Sequence, residues 1–138
     1  MKKPNLILVD DHQIYRQGIK SLISVENIAN IIGEASSGEE FLELLSQLKP
    51  DLVLMDIEMS DMNGIDATRK ALEIMPDLKI IALSMFDDEE YVCKMKDAGA
   101  KGFIRKSGGI IEIEIAIREV LAGGDHFSDE LKKQYMPS

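Results

Sequence analysis

The chain has 138 residues, 45% hydrophobic and 30% charged, which suits one domain with one core. Its 16 Lys and Arg against 25 Asp and Glu give a net charge of −9, which argues against a nucleic-acid or anionic-membrane surface in these residues, since either needs a basic face. The lone cysteine, Cys93, cannot close an internal disulfide and fits a reducing, cytoplasmic setting as a partly buried helix residue, while no apolar run is long enough for a bilayer span or a signal sequence.

Five short apolar runs rich in β-branched residues read as strands, at residues 6–9, 28–33, 52–55, 80–83 and 103–104. Helical spacing fills the gaps. Ile14, Gly18 and Leu22 mark a first helix; Phe41, Leu44, Leu45 and Leu48 a second; Ile65, Leu72 and Met75 a third; Tyr91, Val92 and Met95 a fourth, over residues 87–98. Pro50 and Pro76 each follow a helical stretch, where proline stops a helix before the next strand. Glu39-Glu40 and residues 87–90 place acids in first turns, which suits the helix dipole. The fifth segment is locally ambiguous, because residues 111–117 alternate as a strand would. Ile110, Ile113, Ile117, Val120 and Leu121 also share one face at 3.6 residues per turn, and Gly123-Gly124 supply a stop, so the expectation is a helix over residues 109–122. On that helix Ile111 and Ile115 project about 100° or more from the centre of the core face. They are candidates for a self-association surface or a docking site for an output domain. Alternating strands and helices, with strands apolar on both faces, predict an α/β fold built on a parallel sheet.

In such a sheet, ligands bind beyond the carboxyl ends of the strands. The first run ends in Asp10-Asp11, the third in Asp56 with Glu58 two residues on, the fourth in Ser84 and the fifth in Arg105-Lys106. Taken singly, each has a plainer role: turn or cap for an Asp or Ser, solvated charge for a Lys. Together they are chemically matched. Gathered carboxylates repel unless a cation compensates, and their hard oxygens suit Mg²⁺. Lys106 as a point charge and Ser84 as a donor complete a phosphate cradle, so the set reads as phosphoryl transfer to a carboxylate. His12 is read as a helix-start residue rather than a metal ligand, since Mg²⁺ does not need imidazole. His126 is read as an inert tail residue.

The pieces Leu6-Ile7-Leu8-Val9-Asp10-Asp11-His12, Met55-Asp56-Ile57-Glu58-Met59, Met62-Asn63-Gly64, Leu83-Ser84 and Gly102-Phe103-Ile104-Arg105-Lys106, in this order and spacing, resemble the receiver domain of two-component response regulators. The Asp-Asp-His start and the Gly-Gly-Asp-His-Phe-Ser tail are similar to the subgroup that precedes a LuxR-type helix-turn-helix. The resemblance implies a flavodoxin-like (βα)5 fold, a doubly wound, five-stranded parallel sheet of order 2-1-3-4-5. It implies a receiver domain over residues 1–124, with residues 125–138 a tail or the start of a linker to an output domain. It implies Asp56 as phosphoacceptor, Mg²⁺ held by Asp11, Asp56 and the backbone carbonyl of Glu58 with Asp10 acting through water, and Ser84 and Lys106 on the phosphoryl group. Ser84 would move toward the phosphoryl group and Phe103, at the aromatic switch position, would turn inward. The implied partners are a sensor histidine kinase, a second copy in a homodimer, and DNA only through a helix-turn-helix outside these residues. Ser60 and Gln13 stand where the family often has proline, and Phe103 lacks the hydroxyl of a tyrosine switch.

Two rival readings use the same residues. A Mg²⁺-dependent phosphatase with an aspartyl intermediate usually carries a second Asp two residues after the nucleophile, where this chain has Glu58. A flavodoxin-like binding module needs a Ser- and Thr-rich loop after the first strand, which is absent here.

Overall fold

A computed structural model describes residues 3–59, 62–85 and 89–127. In chain order the elements are β1 (Asn5–Val9), α1 (Gln13–Val25), β2 (Asn30–Ala35), α2 (Gly38–Leu45), β3 (Leu52–Asp56), α3 (Gly64–Ile74), β4 (Lys79–Ser84), α4 (Glu89–Ala98), β5 (Gly102–Arg105), α5 (Gly109–Leu121) and β6 (His126–Phe127), with a single 3-10 turn at Lys106–Gly108. All strand pairs are parallel and the order is β2-β1-β3-β4-β5-β6. The fold is therefore the expected flavodoxin-like one, extended by a sixth strand. That strand places residues 126–127 on the sheet, past the boundary expected at residue 124, and His126 is a strand residue rather than part of a loose tail. Ser60, the start expected for α4 at residues 87 and 88, and residues 128–138 lie outside the described residues.

Strands that are apolar throughout must bury both faces, and they do. On one face Ile7, Val9, Val53, Met55, Ile80, Ala82, Phe103 and Phe127 pack under α2, α3 and α4 through Phe41, Leu45, Ile65, Ala71, Val92 and Met95. On the other, Leu6, Leu8, Leu52, Leu54, Ile81, Leu83 and Ile104 pack under α1 and α5 through Ile19, Ile23, Ile113, Ala116, Ile117 and Val120. The alternating segment at 111–117 is helical, because its Ile113–Ile117–Val120 stripe has this face to cover.

Helix starts follow their caps. Ser37 accepts from the Glu40 amide at 3.1 Å and Asn63 from the Asp66 amide at 2.9 Å, each satisfying a donor that the first turn leaves unpaired. All three expected markers of α1 are off its buried face: Ile14 is 89% exposed, Leu22 42%, and Gly18 is exposed too, while Ile19 and Ile23 are buried. The expected start of β2 is also too early. Ile28 donates its amide to the Ile23 carbonyl and so belongs to the turn that ends α1, where Asn27 takes the left-handed conformation that asparagine tolerates. The strand begins at Asn30. On α5, Leu121 lies at the exposed edge of the stripe, and Ile111 and Ile115 face outward as expected, 72% and 44% exposed.

Candidate functional site

The strand order reverses between β1 and β3, and a crevice opens there at the carboxyl ends of the strands. Asp10 follows β1 and is tied to β2 by its amide, which donates to the Ala35 carbonyl. Asp56 is the last residue of β3 and Ser84 the last of β4, so both are held by the ladder itself. Lys106 follows β5. Asp10, Asp56 and Ser84 are fully buried, and Lys106 is 8% exposed.

The ammonium of Lys106 lies 2.8 Å from Asp10 Oδ2 and 3.3 Å from Asp56 Oδ1, and 4.6 Å from the centre of the Tyr15 ring. The lysine is thus held between two carboxylates and an aromatic face. Asp56 Oδ1 also accepts from the Glu58 amide at 3.2 Å. The other carboxylate oxygen of Asp56, Oδ2, is buried without a hydrogen-bond donor. Burial first, then the Asp10 charge, push the Asp56 carboxyl up from 3.8 to about 8, against the pull of Lys106. A buried oxygen without a donor, on a carboxyl held well above the usual range, marks a carboxylate set short of positive charge. A hard divalent cation would supply it, and one ligand atom each from Asp10, Asp11, His12 and Asp56 lies within 4.8 Å of the others. The donor chemistry fits such an ion.

The expected residues Asp10, Asp11, Asp56, Ser84 and Lys106 are gathered at this crevice. Glu58 is there too, in an unexpected role: its side chain accepts the Ser84 hydroxyl bond at 2.8 Å. Phe103 lies away from the crevice, in the core beneath α4, fully buried. Two residues were missed by the sequence reading. His12 does start α1, but its Nδ1 also reaches the carboxylates, 3.1 Å from Asp10 Oδ1. Tyr15, three residues on and so on the same side of the helix, lays its ring against Lys106; burial, Asp10 and Asp56 push its phenol further up, so it stays protonated. The Asp-Asp-His run at the start of a helix was the available signal for both.

Close backbone packing fixes the loop after β3. A Cβ on Gly64 would come within 2.3 Å of the Asp56 carbonyl oxygen, so only glycine lets α3 begin against the strand end. Among the described residues no helix is long and apolar enough to cross a membrane.

A doubly wound sheet with an acid pair, a buried aspartate, a hydroxyl and a lysine at its switch point defines the receiver class, and residues 6–118 match the response regulator receiver domain family. The chain belongs to that family. It is 37% identical to Response regulator GacA of Pseudomonas viridiflava over 129 residues, 94% of this chain and 60% of that protein. It is 35% identical to Transcriptional regulatory protein DegU of Brevibacillus brevis over 122 residues, 88% of this chain and 52% of that protein. The chain thus spans a little over half the length of these relatives. A two-component response regulator of the LuxR family from Aurantimonas sp. SI85-9A1 superposes with a TM-score of 0.90 at 30% identity, covering 98% of this chain and 96% of that one.

Proposed function

We propose that this receiver domain is the phosphoacceptor of a transcriptional response regulator and that Asp56 takes the phosphoryl group from a phosphohistidine on a partner sensor kinase. The observation that carries the proposal is the environment of Asp56: a buried carboxylate with one oxygen 3.3 Å from Lys106 and the other without a donor, beside Asp10 and His12. An Asp56 oxygen forms the bond to phosphorus as the donor's P–N bond breaks, and the electron pair leaves with the imidazole. Lys106 is positioned to hold a phosphoryl oxygen, and Ser84 to donate to another once it turns from Glu58. Asp11, Asp56 and the Glu58 carbonyl would hold Mg²⁺, with Asp10 acting through water. The ion, when bound, neutralises charge on the phosphoryl oxygens. The chain acts only on its own phosphorylation and dephosphorylation, and works in the cytoplasm.

The greater length of the GacA and DegU relatives supports an output domain beyond this receiver, such as a DNA-binding helix-turn-helix, with residues 125–138 beginning the connection. The exposed Ile111 and Ile115 are the surface proposed for homodimer contact. Incubation with acetyl phosphate and Mg²⁺, followed by intact-mass analysis, tests the acceptor. One phosphoryl group should appear on the wild type and none on Asp56→Asn. Equal labelling of the two would rule Asp56 out.

A further inference from the structure

The imidazole of His12 is a metal-capable group at the crevice that the proposed chemistry leaves unused. Its Nδ1 lies 3.1 Å from Asp10 Oδ1, 3.4 Å from Asp11 Oδ1 and 3.5 Å from Asp56 Oδ2. Around a divalent ion with ligands at about 2.1–2.2 Å, neighbouring octahedral positions are about 3.0 Å apart and opposite ones about 4.3 Å. Among the four donor atoms mutually within 4.8 Å, the His12 nitrogen and the Asp11 and Asp56 oxygens are therefore within a small contraction of one coordination shell, with Asp10 close enough to act through water. Asp56 Oδ2 is independent support, since it is fully buried, lacks a donor and faces this nitrogen. The His12 side chain is 53% exposed, so an ion can enter past it and water can fill the remaining positions. The helix does not need the side chain either. Ser37 and Asn63 cap α2 and α3, whereas His12, at the same position of α1, makes no capping bond and turns to the carboxylates instead.

We propose that His12 is a nitrogen ligand of the divalent-cation site and biases it from Mg²⁺ toward ions that accept imidazole, Mn²⁺ among them. The inference rests on the cation site of the proposed function. Oxygen-only sets suit Mg²⁺, whereas imidazole raises affinity along the first transition row. Ligation takes the Nδ1 lone pair, so the Lys106 ammonium, 3.2 Å from that nitrogen, then turns wholly to Asp10 and Asp56. The opposing account makes His12 a cationic filler among three carboxylates. It predicts the opposite sign, because removing a competing positive group would strengthen cation binding.

Mn²⁺ titration followed by electron paramagnetic resonance, on the full chain as wild type, His12→Ser and Asp11→Asn, separates the two. Serine keeps a good helix start. The wild type should bind Mn²⁺ with a nitrogen-14 modulation in the spin-echo envelope. His12→Ser should lose that modulation and weaken Mn²⁺ binding about tenfold, while Mg²⁺ binding changes by less than about threefold. Bound Mn²⁺ without nitrogen coupling, or equal or tighter binding by His12→Ser, overturns His12 as a ligand. If Asp11→Asn still weakens binding in that case, the cation site itself stands. Mn²⁺ binding that is absent, or indifferent to Asp11→Asn, overturns both.

Discussion

Ser84 donates its hydroxyl to the Glu58 carboxylate at 2.8 Å, joining the end of β4 to the loop after β3 across the mouth of the crevice. The hydroxyl proposed to donate to a phosphoryl oxygen is therefore engaged by a neighbour, and the second oxygen of that neighbour, Oε2, is buried without a hydrogen-bond partner. Phosphorylation requires this bond to break. Glu58 also adds a negative charge beside Asp56, where a dianionic group must arrive. Glu58→Ala should accept a phosphoryl group from acetyl phosphate roughly three- to tenfold faster than the wild type, the effect of losing a hydrogen bond worth about 0.7–1.4 kcal/mol. Single-turnover labelling checks it, and a slower variant would mean that Glu58 helps the transfer instead.

The raised Asp56 carboxyl fixes the direction of a pH effect. With its value near 3.8 when unfolded and about 8 when folded, the folded chain retains a proton through the interval that the unfolded chain has released. The stability Asp56 contributes is fully present below pH 4 and is lost as pH rises through 8. In EDTA, the urea midpoint of the wild type should fall from pH 5 to pH 8 relative to that of Asp56→Asn. The relative change should be roughly 2–4 kcal/mol, discounted from the full linkage for neighbouring titrations. Parallel curves for the two proteins would show that Asp56 is ionised in the fold.

Gly64 tests the packing under the acceptor loop. Adding a methyl group 2.3 Å from the Asp56 carbonyl oxygen forces α3 away from the strand end. Gly64→Ala should cost about 1–3 kcal/mol in denaturant unfolding, in the range of overpacked cores. It should also slow labelling of Asp56. Gly109→Ala is a useful contrast: its added methyl meets nothing within 4 Å, but φ is +76°, so it should lose stability without a selective loss of labelling.

Ile111 and Ile115 face solvent one turn apart on α5. If they join two copies, the phosphoryl mimic beryllofluoride should raise the sedimentation coefficient of the wild type at micromolar concentration, and the double variant Ile111→Lys, Ile115→Lys should remain monomeric in both states. Unchanged sedimentation of both proteins would leave the face to an output domain.

Much of this architecture was legible because the sheet is buried on both sides. Apolar runs located all five main strands, and the polar residues ending four of them located the crevice. Features set by tertiary contact were not legible. The Glu58–Ser84 bond spans 26 residues and depends on the β3–β4 register. Ile14, Gly18 and Leu22 share one stripe at helical spacing, but the stripe one residue on, with Ile19 and Ile23, is the buried one, and spacing alone cannot tell which of two neighbouring stripes the sheet covers. His12 satisfied two roles at once, and the plainer one concealed the other. Two-residue β6 is too short to have a period; it exists because the His126 amide finds the Lys101 carbonyl at 2.8 Å and Phe127 finds the core.

That short strand determines where the receiver lets go of the chain. Phe127 is paired in register with Phe103 and buried beside it, Lys96 lies over its ring, and His126 meets Glu119 of α5 at 2.9 Å. The segment after α5 is consequently not slack. Any module joined beyond residue 127 starts from the edge of the sheet, next to the strand that leads into Lys106, rather than from the end of a helix. A shorter free tether raises the local concentration of what it carries and narrows the directions it can explore. Fastening the chain at β6 therefore fixes the point from which anything attached starts, at the β5 edge of the sheet.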